Sequence, residues 1–333
     1  MTDLNQKALN AVPRRPSSAN VARFAVPGVL VLLIIIFSVA LPSSFLTAGN
    51  WASMVQSQAV LLILALAVTM PLRVGDFDLS IGAIAALSST VTAVMAVNLH
   101  LPAGLAIAIG LLSGVMVGVV NCIAVIVIGI DAFIATLATM TIVTGLTLIM
   151  TNTTVVYNIP DSIVQLARWS GLALPASAYY GWIIAAVLFY VYEMTPFGRS
   201  MLFVRGNQQA ARLVGLPVNR IRVIAFLGSA LLSSFAGVLL LGTIGAADPG
   251  IGAQYLLQPY AAAFLGATAI QLGRFNVIGT ILGLYLIVVG VTGLQLLGAS
   301  SSISQVFYGG VLLIAVGAAR LASRRNKTSP VGN

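Results

Sequence analysis

The chain has 333 residues, 59% of them apolar and only 7% charged, with a formal net charge of +9 and a mean hydropathy of +1.05. A soluble domain carries about 25% charged residues, so this composition excludes one and specifies an integral membrane protein; long apolar runs point to bundled helices and not to a barrel. The basic residues are scattered over loop ends and tails, which fits the positive-inside rule and not a nucleic-acid surface.

In chain order, residues 1–23 form a polar segment without a small-residue cleavage site after an apolar core, which reads as a cytoplasmic tail and not a signal peptide. Ten apolar spans follow, at 24–41, 54–72, 79–97, 101–128, 133–150, 181–194, 223–246, 256–270, 275–297 and 303–321. A second cytoplasmic tail covers 322–333. The expected fold is therefore an all-α membrane domain over 24–321, with ten transmembrane helices and both termini cytoplasmic. The sixth span is short against the roughly 20 residues a bilayer needs, so its start is expected to reach back into 177–180. With this topology fifteen of the sixteen basic residues lie on the cytoplasmic side and Arg168 alone lies outside. Shifting the count by one span scrambles that partition.

Three carboxylates precede spans. Asp76 and Asp78 flank Phe77 between spans two and three, and Asp131 opens span five. Asp78 or Ser80 suits the N-cap of span three, and Asp131 that of span five. The same residue types also suit a gate at the cytoplasmic mouth, with Asp76 set to pair with Arg73. In span four Gly110, Gly114 and Gly118 recur four apart, and Gly279 and Gly283 repeat the device in span nine; both strips read as surfaces for close helix packing. Span five carries Thr136, Thr139, Thr144, Thr147 and Thr151 within an arc of roughly 140°. That stripe fits the lining of a water-filled path or hydrogen bonds to a neighbouring helix, and the spacing allows both. The largest external segment is 151–180, where Trp169, Tyr179, Tyr180 and Trp182 suit the outer interface.

The stretch 195–222 interrupts the apolar sequence with Arg199, Arg205, Arg212, Arg220 and Arg222. At its centre Asn207 is a natural N-cap, residues 208–214 contain no helix breaker, Gly215 suits the left-handed C′ position and Pro217 stops continuation. A helix of about 10 Å is far too short to persist alone in water. With small Ala210 and Ala211 on it, it is expected to dock on a partner, with Arg212 as a rim charge.

Enzymatic chemistry finds little support. There is no GxxxxGK[ST] phosphate loop, His100 has no acidic or cysteine neighbours that make a metal site, Cys122 is the single cysteine, and no nucleophile–base pair can be assembled. No acid or base falls in the middle of a span, which disfavours an ion-coupled carrier, although backbone carbonyls can bind sodium.

Five segments carry a resemblance: GDFDLSIGAIAALS (75–88), DAFIATLATM (131–140), FGRSMLFVRGNQQAARLVGL (197–216), AAFLGATAIQLGRFNVIGTILG (262–283) and GLQLLG (293–298). The chain resembles the permease subunits of bacterial ATP-binding-cassette importers of the ribose, xylose, galactose and autoinducer-2 type. The resemblance implies a dimeric pore of two ten-span subunits, identical or paralogous, in the bacterial inner membrane. It implies a cytoplasmic ATPase subunit holding ATP and Mg, a periplasmic solute-binding protein, and no cofactor or metal in this chain. The coupling loop of the family matches 207–215, which assigns ATPase coupling to Asn207, Ala210, Ala211, Arg212 and Gly215. Asp76, Asp78, Ser80, Thr136, Thr144 and Thr147 are candidates for the translocation path or its gate. Two departures bear on the solute: GDFDLSIG stands where the family often has GGIDLSVG, and LGATAIQLG where it often has LGGTSLxGG. The alternatives are a branched-chain amino acid permease of the same architecture and an ion-coupled secondary carrier working alone.

Overall fold

The computed structural model describes residues 23–170, 174–300, 302–311, 313–314 and 317. The expected tail 1–23, except Arg23, the expected tail 322–333 and the far end of the expected tenth span lie outside the described residues. The described chain is helical, without strands; one isolated antiparallel bridge joins Val156 and Ala247.

The helices are α1 (Ala25–Ala40), α2 (Ala48–Ser57), α3 (Ala59–Val74), α4 (Ile81–Ala93), α5 (Ala103–Cys122), α6 (Ala132–Met150), α7 (Asp161–Arg168), α8 (Ala176–Phe189), α9 (Pro196–Gly206), α10 (Gln208–Leu213), α11 (Val218–Ile244), α12 (Gln254–Ala267) and α13 (Val277–Leu296). Three of them, α4, α5 and α8, run on into π-type turns at Val94–Asn98, Ile123–Ile128 and Tyr190–Met194. Residues 303–311 are helical again.

The bundle is built around α3 and α11. Every residue of α3 is buried, and α11 packs on α3, α4, α5 and α7. Small residues permit this. A Cβ on Gly237 of α11 would sit 2.1 Å from the Ala85 carbonyl oxygen of α4, and one on Gly114 of α5 would meet the Ser234 hydroxyl of α11 at 2.1 Å. Both glycine strips read from the sequence are thus used inside the chain. In α13, a Cβ on Gly279 would lie 2.2 Å from the Gly266 carbonyl oxygen of α12. Away from these seams α1, α5 and α6 expose Leu32, Ile36, Leu112, Met116, Ile142 and Ile149, the apolar outer surface that lipid requires.

Among the described residues five helices are long and apolar enough to cross a membrane, or up to seven if each of two bent pairs is one span. The expectation of ten spans is therefore larger than length and composition establish here. The expected second span is one of the bent pairs: α2 and α3 meet at 43° across Gln58. The other pair, α8 with its π turn and α9, turns by 71°. The sixth span does begin earlier than its apolar core, at Ala176. Within the expected external segment α7 was not foreseen. It lies against α11, where the Arg168 guanidinium donates twice to the Thr243 carbonyl oxygen at 3.1 and 2.7 Å.

Candidate functional site

Hydroxyl side chains are buried along the middle of the bundle, at Ser88, Ser89, Thr90 and Thr92 of α4 and at Ser233 and Ser234 of α11; two further polar clusters lie at its ends. One end carries the short helix α10. The Asn207 side chain accepts from the Ala210 N–H at 3.0 Å, as an N-cap does. At the other terminus Gly215 has φ +81°, its N–H donates to Arg212 O at 3.0 Å, and the Leu216 N–H donates to Ala211 O at 3.0 Å. Together these form a Schellman stop, followed by Pro217.

The burial of α10 differs from the sequence expectation. Ala211, assigned to the partner face, is fully buried within the chain's own core beside Val204, Val218 and Ile221. Ala210, Arg212 and Gly215 remain exposed. The residues most open to a partner are Leu213, 89% exposed, and Val214, 65% exposed. They are adjacent apolar side chains on a polar, charged surface.

Beside α10, the loop between α3 and α4 is tied to α11. Arg222 donates to both carboxylate oxygens of Asp76, at 2.7 and 2.9 Å, with both side chains nearly buried. The expected partner of Asp76 was Arg73; that is corrected. Arg73 ends α3, where its guanidinium is buried and donates to the Phe275 carbonyl oxygen at 2.6 Å. It also reaches the Tyr192 and Gly198 carbonyl oxygens at 3.5 and 3.4 Å. It lies 4.1 Å over the Tyr192 ring and 3.9 Å from Glu193. Arg73 thus joins the C-terminal end of α3 to the α8–α9 bend and to the start of α13. Asp76 stands where the family resemblance has glycine, and its bidentate pair with Arg222, 146 residues away, accounts for a carboxylate there.

Asp78 does not act as the simple N-cap expected of it. Its carboxylate accepts from Ser80 N at 3.1 Å, Ser80 Oγ at 2.5 Å, Ser229 Oγ at 3.3 Å and Asn121 Nδ2 at 3.5 Å. Its own N–H donates to the Tyr260 hydroxyl at 3.1 Å. Burial pushes the Asp78 carboxyl up, opposed by the hydrogen bonds from Ser80 and Ser229. Ser80 caps nothing with its side chain; its hydroxyl accepts from Asn121 at 2.8 Å. By contrast Asp131 accepts from Phe133 N and Ile134 N, the N-cap expected of it.

The threonine stripe of α6 divides. Thr136 is buried; its hydroxyl donates to the Ala132 carbonyl at 2.7 Å and accepts from Leu79 N across the helix boundary at 3.1 Å. Thr147 is buried and bonds Thr144 O and, across the bundle, Pro249 O. Thr144 bonds only its own helix, at Met140 O. Thr136 and Thr147 thus reach neighbouring segments, while Thr144 does not.

The opposite end holds a cavity of about 380 Å³ that no sequence reading singled out. It lies between α2, α3, α12, α13 and the helical stretch 303–311, and Gln58, Gln258, Thr292 and Gln295 are among its lining residues. The lining contains no charged side chain. One sequence signal pointed there: the apolar runs are broken by SerGln at 57–58 and by GlnPro at 258–259.

Over residues 50–316 the chain matches the model of a family described as branched-chain amino acid transport system / permease component. It is 36% identical over 289 residues to the ribose import permease protein RbsC of Bacillus subtilis, covering 86% of this chain and 89% of that one. The corresponding protein of Haemophilus influenzae is 32% identical over 291 residues, covering 86% and 90%. The D-allose transport system permease protein AlsC of Escherichia coli is 28% identical over 296 residues, covering 89% and 91%. No solved structure matches the chain.

Proposed function

The chain belongs to the branched-chain amino acid transport system / permease component family, and from that membership we propose that it moves a monosaccharide of the ribose or allose kind through the bacterial inner membrane. It is the non-catalytic permease subunit of an ATP-binding-cassette importer. The relatives cited are named for sugars, which favours a sugar over a branched-chain amino acid. A separate ATPase subunit, using ATP and Mg, a second permease chain and a periplasmic binding protein complete the importer in this reading.

The observation that carries the energy-coupling role is α10. Its stops are both formed, and it presents Leu213 and Val214 outward at the arginine-rich end. Asn207 and Gly215 hold its two ends, Ala211 seats it on the bundle, and Ala210, Arg212, Leu213 and Val214 are left for the ATPase. Asp76, Asp78 and Ser80 we assign to holding α4 against α11 at this mouth, and Thr136, Thr144 and Thr147 to packing.

This end we assign to the cytoplasm. Arg73, Arg199, Arg205, Arg212, Arg220, Arg222 and Arg274 gather there, and Arg23 joins them through the hydrogen bond from Ile270 N to its carbonyl oxygen at 3.2 Å. Arg168 lies at the other end. That partition follows the positive-inside rule and supports a permease domain over 24–321 with ten spans and both termini inside. The 16 residues of α1 reach about 24 Å and the 14 of α12 about 21 Å, and both complete a span only with flanking residues.

The test is Leu213→Asp. The side chain stands almost wholly in water, so the fold should change by no more than about 0.5 kcal/mol. Co-purification of the ATPase subunit and ATP-driven uptake of ribose are expected to fall at least about tenfold, the scale of an interface anchor. Undiminished ATPase binding would remove α10 from the interface.

A further inference from the structure

The cavity at the end away from α10 lies where two helices are interrupted. The first break is at Gln58, which has φ −98° and ψ 1° between α2 and α3. The second is in α12, where Tyr255 has φ −94° and ψ 17° and Pro259 sits inside the helix. Proline has no N–H to give, so the carbonyl of Tyr255, four residues earlier, loses its ordinary helical donor. Gln58, Tyr255 and Gln258 all line the cavity, so both breaks open on the same space. Backbone of this kind is tolerated at membrane depth where it lines water or is covered by protein, never where it meets lipid.

The side chains carry the same message. Among the described residues the Gln258 amide and the hydroxyls of Ser53 and Thr292 make no hydrogen bond, while Gln295 Nε2 reaches only Ser304 Oγ at 3.2 Å. An amide or hydroxyl left in hydrocarbon without a partner is strongly disfavoured, so this face is wet. The cavity is also deep. Val288 lines it, and lies eight residues before the end of α13, about 12 Å inside the bundle.

We propose that this cavity is a subsite at which the permease itself holds its solute, a neutral polyhydroxylated molecule, through Gln58, Gln258 and Thr292. Each amide offers donors and an acceptor, and each hydroxyl offers one donor and two lone pairs, which matches the donor–acceptor character of every sugar hydroxyl. The lining holds no charge to balance a carboxylate or ammonium, so a zwitterionic amino acid finds no counter-ions here. A volume of about 380 Å³ lies at the small end of the roughly 300–1,000 Å³ of ligand sites, the size for one sugar ring and not for an oligosaccharide. The subsite rests on the sugar-permease reading above.

Two measurements test it. Ser53→Cys and Thr292→Cys, each in a Cys122→Ala background, are treated in right-side-out vesicles with a membrane-impermeant maleimide. Labelling of at least one is expected; at wild-type abundance, protection of both overturns a water-filled cavity. Gln258→Leu, of similar volume but without the amide, is then compared with wild type in the importer reconstituted with its ATPase and binding protein, using ribose and allose as probes. Solute moved per ATP hydrolysed is expected to fall at least fivefold, with Gln258→Asn keeping more than Gln258→Leu. Equal transport per ATP in Gln258→Leu overturns the subsite while leaving the permease reading in place. If the wild-type assembly moves neither probe with ATP, the sugar-permease reading fails, and the subsite fails with it.

Discussion

The two ends of the bundle use polarity in opposite ways. At the α10 end the polar groups are charged and closed on one another: Arg222 grips Asp76 through two hydrogen bonds, and Arg73 is buried among three carbonyls, Glu193 and the Tyr192 ring. In the cavity at the other end they are neutral, with Gln258 and Thr292 facing it and Gln58 bonded only to the Ser57 hydroxyl at 3.3 Å. Charge that is paired and buried fixes geometry, because any rearrangement strands an ion in low dielectric. Neutral amides without partners cost less to rearrange and suit a passing solute. The difference teaches that Arg73, Asp76 and Arg222 serve the frame of the bundle, and it supports the proposal that the solute meets amides.

The largest effect expected from breaking this contrast is at Arg73. Arg73→Ala leaves Glu193 and the carbonyls of Phe275, Tyr192 and Gly198 without their shared donor, and loses the stacking on Tyr192. Leaving a buried carbonyl without its donor costs about 1–3 kcal/mol for each group, and three are affected, so the detergent-solubilised protein should melt several degrees lower, and little should reach the membrane. A melting temperature equal to that of wild type would mean that this end is not a frame at all.

How much of this was legible in the sequence depends on the range of the interaction. Asn207, Gly215 and Asp131 were readable because a cap involves atoms within a few residues of one another, and the structure forms each one. The glycine strips were readable as packing surfaces, though not their partners. Asp76 was misassigned because Arg73 is three residues away and Arg222 is 146; adjacency in sequence favoured the wrong arginine. Ala211 was misassigned because smallness permits close packing against any surface, the chain's own included. The cavity was invisible for the same long-range reason. Each helix break is visible in its own run, but only folding shows that Gln58 and Gln258 meet. Helix length and composition among the described residues establish five spans, or up to seven with the bent pairs, because a short or interrupted helix such as α12 is as apolar as a long one but reaches across only with its flanking residues.

A smaller effect sharpens the contrast at its edge. Asp76→Ala and Arg222→Ala each remove a charge-assisted bidentate bond, for which about 1.5–3 kcal/mol is expected. The double variant should be less destabilised than the two single losses added together, since neither charge is then left unpaired. Melting of all four proteins gives the coupling energy directly. A coupling near zero would show that the loop between α3 and α4 is held by its other bonds, from Asp78 N to Tyr260 and from Leu79 N to Thr136. Uptake measured on the same set should follow the pair, because Arg222 lies in the second turn of α11, the helix that follows α10.

The smallest effect separates the two readings of the α6 stripe. Thr144→Val swaps the hydroxyl for a methyl of similar size. The lost hydrogen bond ran to Met140 O, a carbonyl of its own helix, and back-bonding of this kind contributes nothing to helix stability and slightly opposes it. Stability should therefore move by less than about 0.5 kcal/mol, and ribose uptake should stay at the wild-type rate. Thr136→Val is the control on the same helix. Its hydroxyl accepts from the Leu79 N–H at 3.1 Å, and a valine leaves that donor without a partner at the packed start of α4. The cost of such a group is about 1–3 kcal/mol, enough to lower both the melting temperature and the abundance of Thr136→Val. A path-lining stripe demands a different pattern, in which both variants keep their stability and both lose uptake. Measured side by side, a stable and active Thr144→Val beside a destabilised Thr136→Val assigns the stripe to packing, and the opposite pattern returns it to the solute path.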